Sequence, residues 1–241
     1  MIDSLTALDG RYARLTADMA DVFSEYGLIR HRVFVEIQWL KFILTDLALD
    51  RIQPEDVRIL DAIAQRFSKA DAEAVKQIER KTNHDVKAVE YFIKDCLDRD
   101  GLGRIREWVH FACTSDDINN TAYALMLQKG RDLSVSLLET LLSDLENKAR
   151  ENKAVPMMSR THGQPATPTT VGKEFINYAW RILSEIKILS NAGVQAKMNG
   201  ATGNLNAHYF VYPDIDWISA SERFIRSSLG LEPLLFTTQV N

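Results

Sequence analysis

The chain has 241 residues, of which 46% are hydrophobic and 26% are charged, and its formal net charge is −4. This composition excludes a chain that is disordered over most of its length, and the net charge excludes a nucleic-acid binder that relies on overall basicity. With 11 glycines and 6 prolines, the chain also has too few turn residues for a turn-rich β protein.

The cysteines and the N-terminus predict a cytoplasmic protein. Cys96 and Cys113 are too few for a disulfide framework, so we expect two reduced, buried thiols. The first residues lack the basic and apolar regions of a signal peptide, and no run of 18 apolar residues is present to span a membrane. We therefore expect no membrane partner.

Apolar residues recur at steps of three and four through the first half of the chain, which predicts amphipathic helices. No proline interrupts residues 55–155, so long helices are possible there. The predicted helical stripes are 33–47, 57–67 and 86–96, with Ser24 as a cap, Pro54 at a helix start, a Ser68–Asp71 capping box and a break at Gly101.

The second half predicts two long helices and a shorter one, with no strand of useful length. The predicted ranges are 117–153, 175–189 and 214–229. The first would be about 50 Å long at 1.5 Å per residue, a length typical of helix bundles. We therefore predict an all-α fold, divided near Phe111 into domains of residues 1–112 and 113–241.

Two uncharged segments, residues 161–172 and 198–213, interrupt this charged helical chain. Both are rich in Gly, Asn, Thr and His, a composition typical of functional loops. In the first, His162 lies beside a glycine and among hydroxyl and amide groups, and a neutral imidazole can exchange a proton near neutral pH. The alternative is a histidine that only ties two loop backbones together.

Short polar side chains also crowd two predicted helix starts, where free N–H groups favour an anion. The first start carries Asn83, His84 and Asp85, and the second carries Thr114 and Ser115. In the functional interpretation, these residues hold a phosphate or a carboxylate. In the alternative interpretation, they only cap their helices.

Other features carry less information on their own. Arg11, next to Tyr12, is either an anion clamp or a solvated arginine, and Gly200–Asn204 is more typical of a helix end than of a phosphate loop. The five histidines form no pair at i and i+4 and no HExxH motif, so the sequence predicts no metal site.

Taken together and in this order, the motifs resemble the adenylosuccinate lyase family, of the bacterial type, within the fumarase/aspartase superfamily. The resemblance extends over essentially the whole chain. The segments that carry it are 9–12, 23–28, 82–91, 110–120, 159–168, 200–208 and 237–239, the sixth with Thr202 where the family has Val.

The resemblance implies an all-α fold with an N-terminal helical domain, followed by the first long helices of a central bundle. It implies a homotetramer in the cytoplasm and β-elimination of fumarate from adenylosuccinate and from succinyl-aminoimidazole-carboxamide ribotide, without metal or cofactor. It assigns His162 as the general acid and places His110 in the region of the site. The residues implied in substrate binding are Arg11, Tyr12, Asn83, His84, Asp85, Thr114, Ser115 and Gln239.

The sequence departs from the family in one motif. The mobile family loop that carries the serine base contains Met-Pro-x-Lys, and this sequence contains no such tetrapeptide. We therefore expect the chain to correspond to the N-terminal portion of a lyase and to be inactive alone. Two alternatives stay open: a non-catalytic helical binding or assembly module, and another superfamily member such as argininosuccinate lyase or fumarase.

Overall fold

In this computed structural model, which describes residues 6–240, the chain is mostly α-helical, as predicted. The helices are α1 (Ala17–Phe23), α2 (Glu25–Thr45), α3 (Pro54–Gln65), α4 (Lys69–Thr82), α5 (Asp85–Arg99), α6 (Ser115–Glu151), α7 (Val171–Ser190), α8 (Asn206–Val211) and α9 (Trp217–Arg223). A 3-10 turn (Gly103–Trp108) and a π turn (Phe224–Ser228) accompany them. The strands are β1 (Pro156–Thr161), β2 (Gln164–Thr170), β3 (Gln195–Ala196) and β4 (Glu232–Pro233).

Local capping sets several helix starts at the predicted residues. The Ser24 hydroxyl accepts the N–H of Gly27 at the start of α2. Pro54 occupies the first turn of α3, where its missing N–H has no intrahelical partner to lose. Ser68 and Asp71 form the reciprocal capping box of α4, so Asp replaces the usual Glu without loss of the motif.

The chain packs as two compact units, residues 1–128 with 193–241, and residues 129–192. Helix α6 begins in the first unit and continues into the second. These units do not test the predicted division into residues 1–112 and 113–241, which stays a prediction.

Helix α2 supplies much of the apolar core of the first unit, because its residues are buried on nearly every side. Val33, Ile37 and Leu40 are wholly inaccessible, and burial of one such side chain is worth about 1.5–3 kcal/mol. Two buried tryptophans, Trp39 and Trp217, pack around this core and donate their indole N–H to backbone carbonyls at 2.9 and 3.0 Å.

The second unit contains an antiparallel hairpin, so the prediction of no strand and of a loop from residue 161 is wrong here. Strand β1 pairs with β2 from Pro156↔Thr170 to Thr161↔Gln164. The two-residue turn is His162-Gly163, both with positive φ, as a type I′ hairpin turn requires. The ribbon is largely exposed, so its sequence lacks the apolar alternation that reveals a half-buried strand.

The two helical segments of the second unit approach closely through small residues. A Cβ on Gly172 would lie 2.4 Å from the carbonyl oxygen of Ala149, so only glycine fits there. Four large apolar side chains of α7 are exposed, including Trp180 at 66% and Ile188 at 67%. The face of α7 that carries them is therefore unpartnered within this unit.

No helix in the described part of the chain is long and apolar enough to cross a membrane.

Candidate active site

The starts of α5 and α6 meet in the first unit and bring two predicted site residues together. His84 is the N-cap of α5, and its Nδ1 accepts the N–H of Lys87 at 3.2 Å. In the neutral ring the proton is then on Nε2, which lies 3.4 Å from the Ser115 hydroxyl. The capping alternative therefore applies to His84 itself, and its second nitrogen still faces the start of α6.

The chain end reaches the same helix start. The side-chain amide of Gln239 donates to the Thr114 hydroxyl at 3.3 Å, across 125 positions of sequence. A group of hydroxyl, imidazole and amide side chains is thus formed by Thr114, Ser115, His84 and Gln239. Of these, His84 and Gln239 are exposed, and the two hydroxyl residues are partly buried. Such neutral donors can bind an anionic oxygen without a metal.

Asn83 and Asp85 flank His84 and have different local roles. Asn83 ends α4 in the left-handed conformation, with φ +53°, which asparagine tolerates better than most residues. Burial raises the pKa of Asp85, but the Arg32 guanidinium at 2.6 Å outweighs burial and holds that pKa below its usual value. Asp85 is therefore a carboxylate at neutral pH and acts as an acceptor.

Arg32 was not predicted as a site residue, yet it connects both helix starts. Its side chain is buried and lies between Asp85 of α5 and Asn119 of α6. The Nε–H of Arg32 donates a hydrogen bond to the amide oxygen of Asn119 at 2.8 Å. The only sequence signal for this residue is a charge within the apolar pattern of α2. One turn later on the same helix, Glu36 gives the same signal.

His110 pairs with Glu36. Its Nδ1 lies 2.6 Å from Glu36 Oε1, and its backbone is left-handed with φ +62°. Burial lowers the pKa of His110, but the Glu36 carboxylate outweighs burial and raises that pKa above its usual value. The pairing therefore keeps the imidazolium charged to higher pH than in a free histidine.

A buried ion pair holds the start of α6 in place. The Asp117 carboxylate accepts the Thr114 N–H at 2.8 Å and Lys197 Nζ at 2.8 Å, and both charged side chains are wholly inaccessible. The same carboxylate accepts the backbone N–H groups of Asn199 and Gly200 at 3.1 Å. The turn at Thr114 and the loop at Asn199 are thus fixed to each other by one carboxylate.

Asn199 extends this network to the chain end. Its amide donates to the Leu235 carbonyl and to the Thr237 hydroxyl, at 3.2 and 2.8 Å. Gly203 also packs on this segment, with φ +76°, and a Cβ there would lie 2.2 Å from the Thr237 carbonyl oxygen. The position of Gln239 therefore depends on a glycine 36 residues earlier in the sequence.

We expect Gly203→Ala to destabilise the first unit and to weaken ligand binding at Gln239. A left-handed alanine costs about 1 kcal/mol, and displacement of the Thr237 backbone adds about 1–3 kcal/mol. Urea unfolding and ligand titration measure the two effects. Gly230→Ala is the matched control, because Gly230 has φ +65° but nothing within 4 Å of the added Cβ. Equal losses in both variants would contradict the role of the Thr237 contact.

His208 is buried against this network without a hydrogen-bond partner on either nitrogen among residues 6–240. Its ring packs against those of Trp39 and Trp217, with centroids 6.0 and 4.9 Å away. Burial lowers the pKa of His208 from 6.5 to about 4, although the Asp117 carboxylate acts in the opposite direction. The folded protein therefore holds this ring neutral.

We expect His208→Phe to reduce the loss of stability in acid. As the pH falls from 6.5 to 4, the unfolded chain binds a proton that the folded His208 does not, which removes about 3 kcal/mol of stability. Phenylalanine keeps the aromatic packing and does not titrate. Urea unfolding at pH 7.5 and pH 4.5 measures the difference. His162→Phe, at an exposed position, is the control, and parallel pH curves for wild type and His208→Phe would contradict the prediction.

Of the remaining predicted residues, two belong to the first unit and one to the second. Arg11 and Tyr12 lie in exposed turns, with the Arg11 guanidinium 5.5 Å from the Tyr12 ring, and no hydrogen bond within residues 6–240 joins either side chain to the other predicted site residues. His162 is exposed at the tip of the hairpin in the second unit. Its predicted role as the acid stays a prediction.

The thiols and carboxylates offer no further reactive centre within residues 6–240. Burial raises the pKa of both Cys96 and Cys113, so both thiols stay protonated at neutral pH. No group of three or more His, Cys, Asp or Glu in this range is arranged to hold a metal ion.

In a comparison with known proteins, residues 10–221 of this chain match a family model described as lyase. Adenylosuccinate lyases of Vibrio cholerae and Haemophilus influenzae are 43% and 44% identical over 99% of this chain, which covers 54% and 53% of those proteins. The chain thus spans about half the length of these curated relatives. The resemblance predicted from the motifs is therefore confirmed over nearly the whole sequence.

Solved structures share the fold at lower sequence identity. A fumarate lyase from Mesorhizobium sp. BNC1 has a TM-score of 0.73 at 20% identity, covering 92% of this chain and 49% of that protein. A β-carboxy-cis,cis-muconate cycloisomerase from Acinetobacter calcoaceticus sp. ADP1 has a TM-score of 0.71 at 20% identity, covering 92% and 50%. These likenesses confirm the predicted fold class.

Proposed function

Because the chain belongs to the lyase family, whose model matches residues 10–221, we propose that it takes part in the reaction for which its relatives are named. In that reaction fumarate leaves adenylosuccinate to give AMP, and the same elimination acts on succinyl-aminoimidazole-carboxamide ribotide. The meeting of His84, Ser115, Thr114 and Gln239 at two helix starts is the observation that carries the proposal.

The elimination requires three kinds of group. A base removes a proton from the carbon beside a carboxylate, the C–N bond breaks as the C=C bond forms, and an acid gives a proton to the departing nitrogen. We assign the acid to His162. The hydroxyls of Thr114 and Ser115 and the amide of Gln239 are donors for the succinyl carboxylates, where negative charge develops. Arg11, Tyr12, Asn83, His84 and Asp85 contact the nucleotide side.

The base is not among these residues. The family loop that carries the serine base contains Met-Pro-x-Lys, and this sequence has no such tetrapeptide. We therefore propose that turnover requires a serine supplied from outside this sequence and that the chain alone is inactive. We also propose that the complete protein is a cytoplasmic homotetramer.

Protection by AMP tests the nucleotide site without requiring turnover. A ligand that binds only the folded state stabilises it by about 2.7 kcal/mol at 100 times its Kd. We expect AMP to raise the melting temperature, and adenosine, which lacks the phosphate, to raise it less. Argininosuccinate is the control for the other superfamily reaction. Protection by argininosuccinate but not by AMP would overturn the purine assignment.

A non-catalytic assembly module is the second candidate. The exposed apolar side chains of α7, including Ile176, Trp180 and Ile188, favour it, because large exposed apolar patches mark interaction sites. Release of fumarate from adenylosuccinate by the purified chain, followed by ultraviolet absorbance, would exclude this second candidate. It would also overturn the proposal that the base lies outside the sequence.

A further inference from the structure

Glu36 is a buried carboxylate with one partner. Its side chain is wholly inaccessible, Oε1 lies 2.6 Å from His110 Nδ1, and Oε2 has no hydrogen-bond partner within residues 6–240. Burial of a carboxylate is strongly unfavourable unless the carboxylate is paired with a positive charge. An imidazolium at His110 supplies the positive charge that a buried carboxylate at Glu36 requires.

Other charged groups act on His110 more weakly than Glu36 does. Glu90 and Lys87 of α5 also act on its ring, with opposite effects. Glu90 is paired with both Lys87 and Lys94, so its charge is compensated within α5. Glu36 has no lysine or arginine partner among the described residues, so its carboxylate is the main group that raises the pKa of the ring against burial.

The pairing also fixes which nitrogen is available. Glu36 engages Nδ1, and within residues 6–240 no side chain or backbone group bonds to Nε2 of His110. His110 lies four residues before Thr114, and the backbone carbonyl of His110 accepts the N–H of Cys113 at 3.2 Å. The ring therefore stands on the turn that leads directly into the candidate site.

We infer that Glu36 is a positioning residue, which holds His110 as an imidazolium with Nε2–H free for an anionic oxygen of the ligand. This inference rests on the proposed function. The anionic oxygen belongs to a phosphate or to a carboxylate. Glu36 does not touch the ligand and acts only through His110.

The first test is the titration of His110, followed by nuclear magnetic resonance in the full chain and assigned with His110→Gln. In wild type we expect a midpoint above 6.5. In Glu36→Gln, which keeps an acceptor of the same shape but no charge, we expect the midpoint to fall to 6.5 or lower. Glu73→Gln removes one exposed negative charge from the same unit and is the control. An unchanged midpoint in Glu36→Gln overturns the inference, even if that variant is less stable.

The second test is binding of AMP and of fumarate between pH 6 and 8.5. At pH 7.5 a ring with the ordinary pKa of 6.5 is about one-tenth charged, so we expect weaker binding by Glu36→Gln, by up to about tenfold. Glu36→Gln should have no further effect in His110→Gln, because the two residues act as one unit. A loss confined to AMP assigns the oxygen to the phosphate, and a loss confined to fumarate assigns it to a carboxylate.

The outcomes separate the inference from the proposed function. If wild type binds neither ligand, the proposed function fails, and the titration alone decides whether Glu36 sets the charge of His110. If wild type binds and Glu36→Gln binds equally well at every pH, the inference fails while the proposed function stands. Additive losses in the double variant also overturn the inference, since Glu36 would then act by another route.

Discussion

Under the proposed lyase function, replacing His162 with alanine in the complete protein is expected to slow fumarate release by about 10²- to 10⁴-fold, the range typical of a general acid. His162 lies at the tip of an exposed hairpin, in a type I′ turn with φ +50°. Its side chain is exposed, as the proposed role of proton donor requires. The loss should appear in kcat, because proton donation to the departing nitrogen occurs in the transition state.

The measurement is the steady-state rate of fumarate formation by the native polypeptide as its source makes it. Binding of AMP should stay within about twofold in His162→Ala, since proton transfer contributes nothing to binding of a product that holds its proton already. Thr161→Ala, one residue earlier on the same hairpin, is the matched control for damage to the ribbon. Nearly full turnover by His162→Ala would show that the acid is another group.

Replacing Lys197 with methionine is expected to destabilise the first unit by about 3–5 kcal/mol, because the Asp117 carboxylate then loses the charge that balances it in the interior. Both side chains are wholly inaccessible, and Nζ lies 2.8 Å from Oδ1. Methionine fills a similar volume, so the loss reports charge rather than packing. Urea unfolding of the full chain measures it.

An exposed ion pair provides the control for Lys197. Lys76 bonds to Glu25 and Glu79, and its side chain is 35% exposed. Lys76→Met should therefore change the free energy of unfolding by about 0–1 kcal/mol. Similar losses in the two variants would mean that the Asp117 carboxylate is stabilised mainly by the backbone N–H groups of Thr114, Asn199 and Gly200.

Helix positions were largely predictable because their signals are local. The Ser24 cap, the Pro54 start and the Ser68–Asp71 box each act within four residues, and each appears in the structure as expected. The hairpin of β1 and β2 was missed, because a ribbon exposed on both faces has no buried side to impose a period of two. Its Pro165 and Pro168 also argue against a strand, although a two-stranded ribbon accepts proline at its free edges.

The sequence could indicate the polar residues at the two helix starts but not the buried pairs that support them. The residues that the structure brings together at the two helix starts could be singled out, because short polar side chains before an apolar stripe form a local pattern. Their role in binding stays a prediction. The supporting pairs were missed, since Glu36 and His110 are 74 positions apart, and Asp117 and Lys197 are 80 apart. The two partners of a buried ion pair have no characteristic separation along the sequence, so only the fold shows that they pair. The roles of Arg11, Tyr12 and His162 stay predictions.

Because the tryptophans of the two units differ in burial, their intrinsic fluorescence distinguishes one unit from the other. Trp180 is the only indole within residues 129–192, and it is 66% exposed, whereas Trp39 and Trp217 are almost wholly buried in the other unit. Emission from the second unit should therefore lie at longer wavelength and be open to collisional quenchers, while most of the first unit's emission should be blue-shifted and protected. The melting of each unit can thus be followed separately in the unmodified protein.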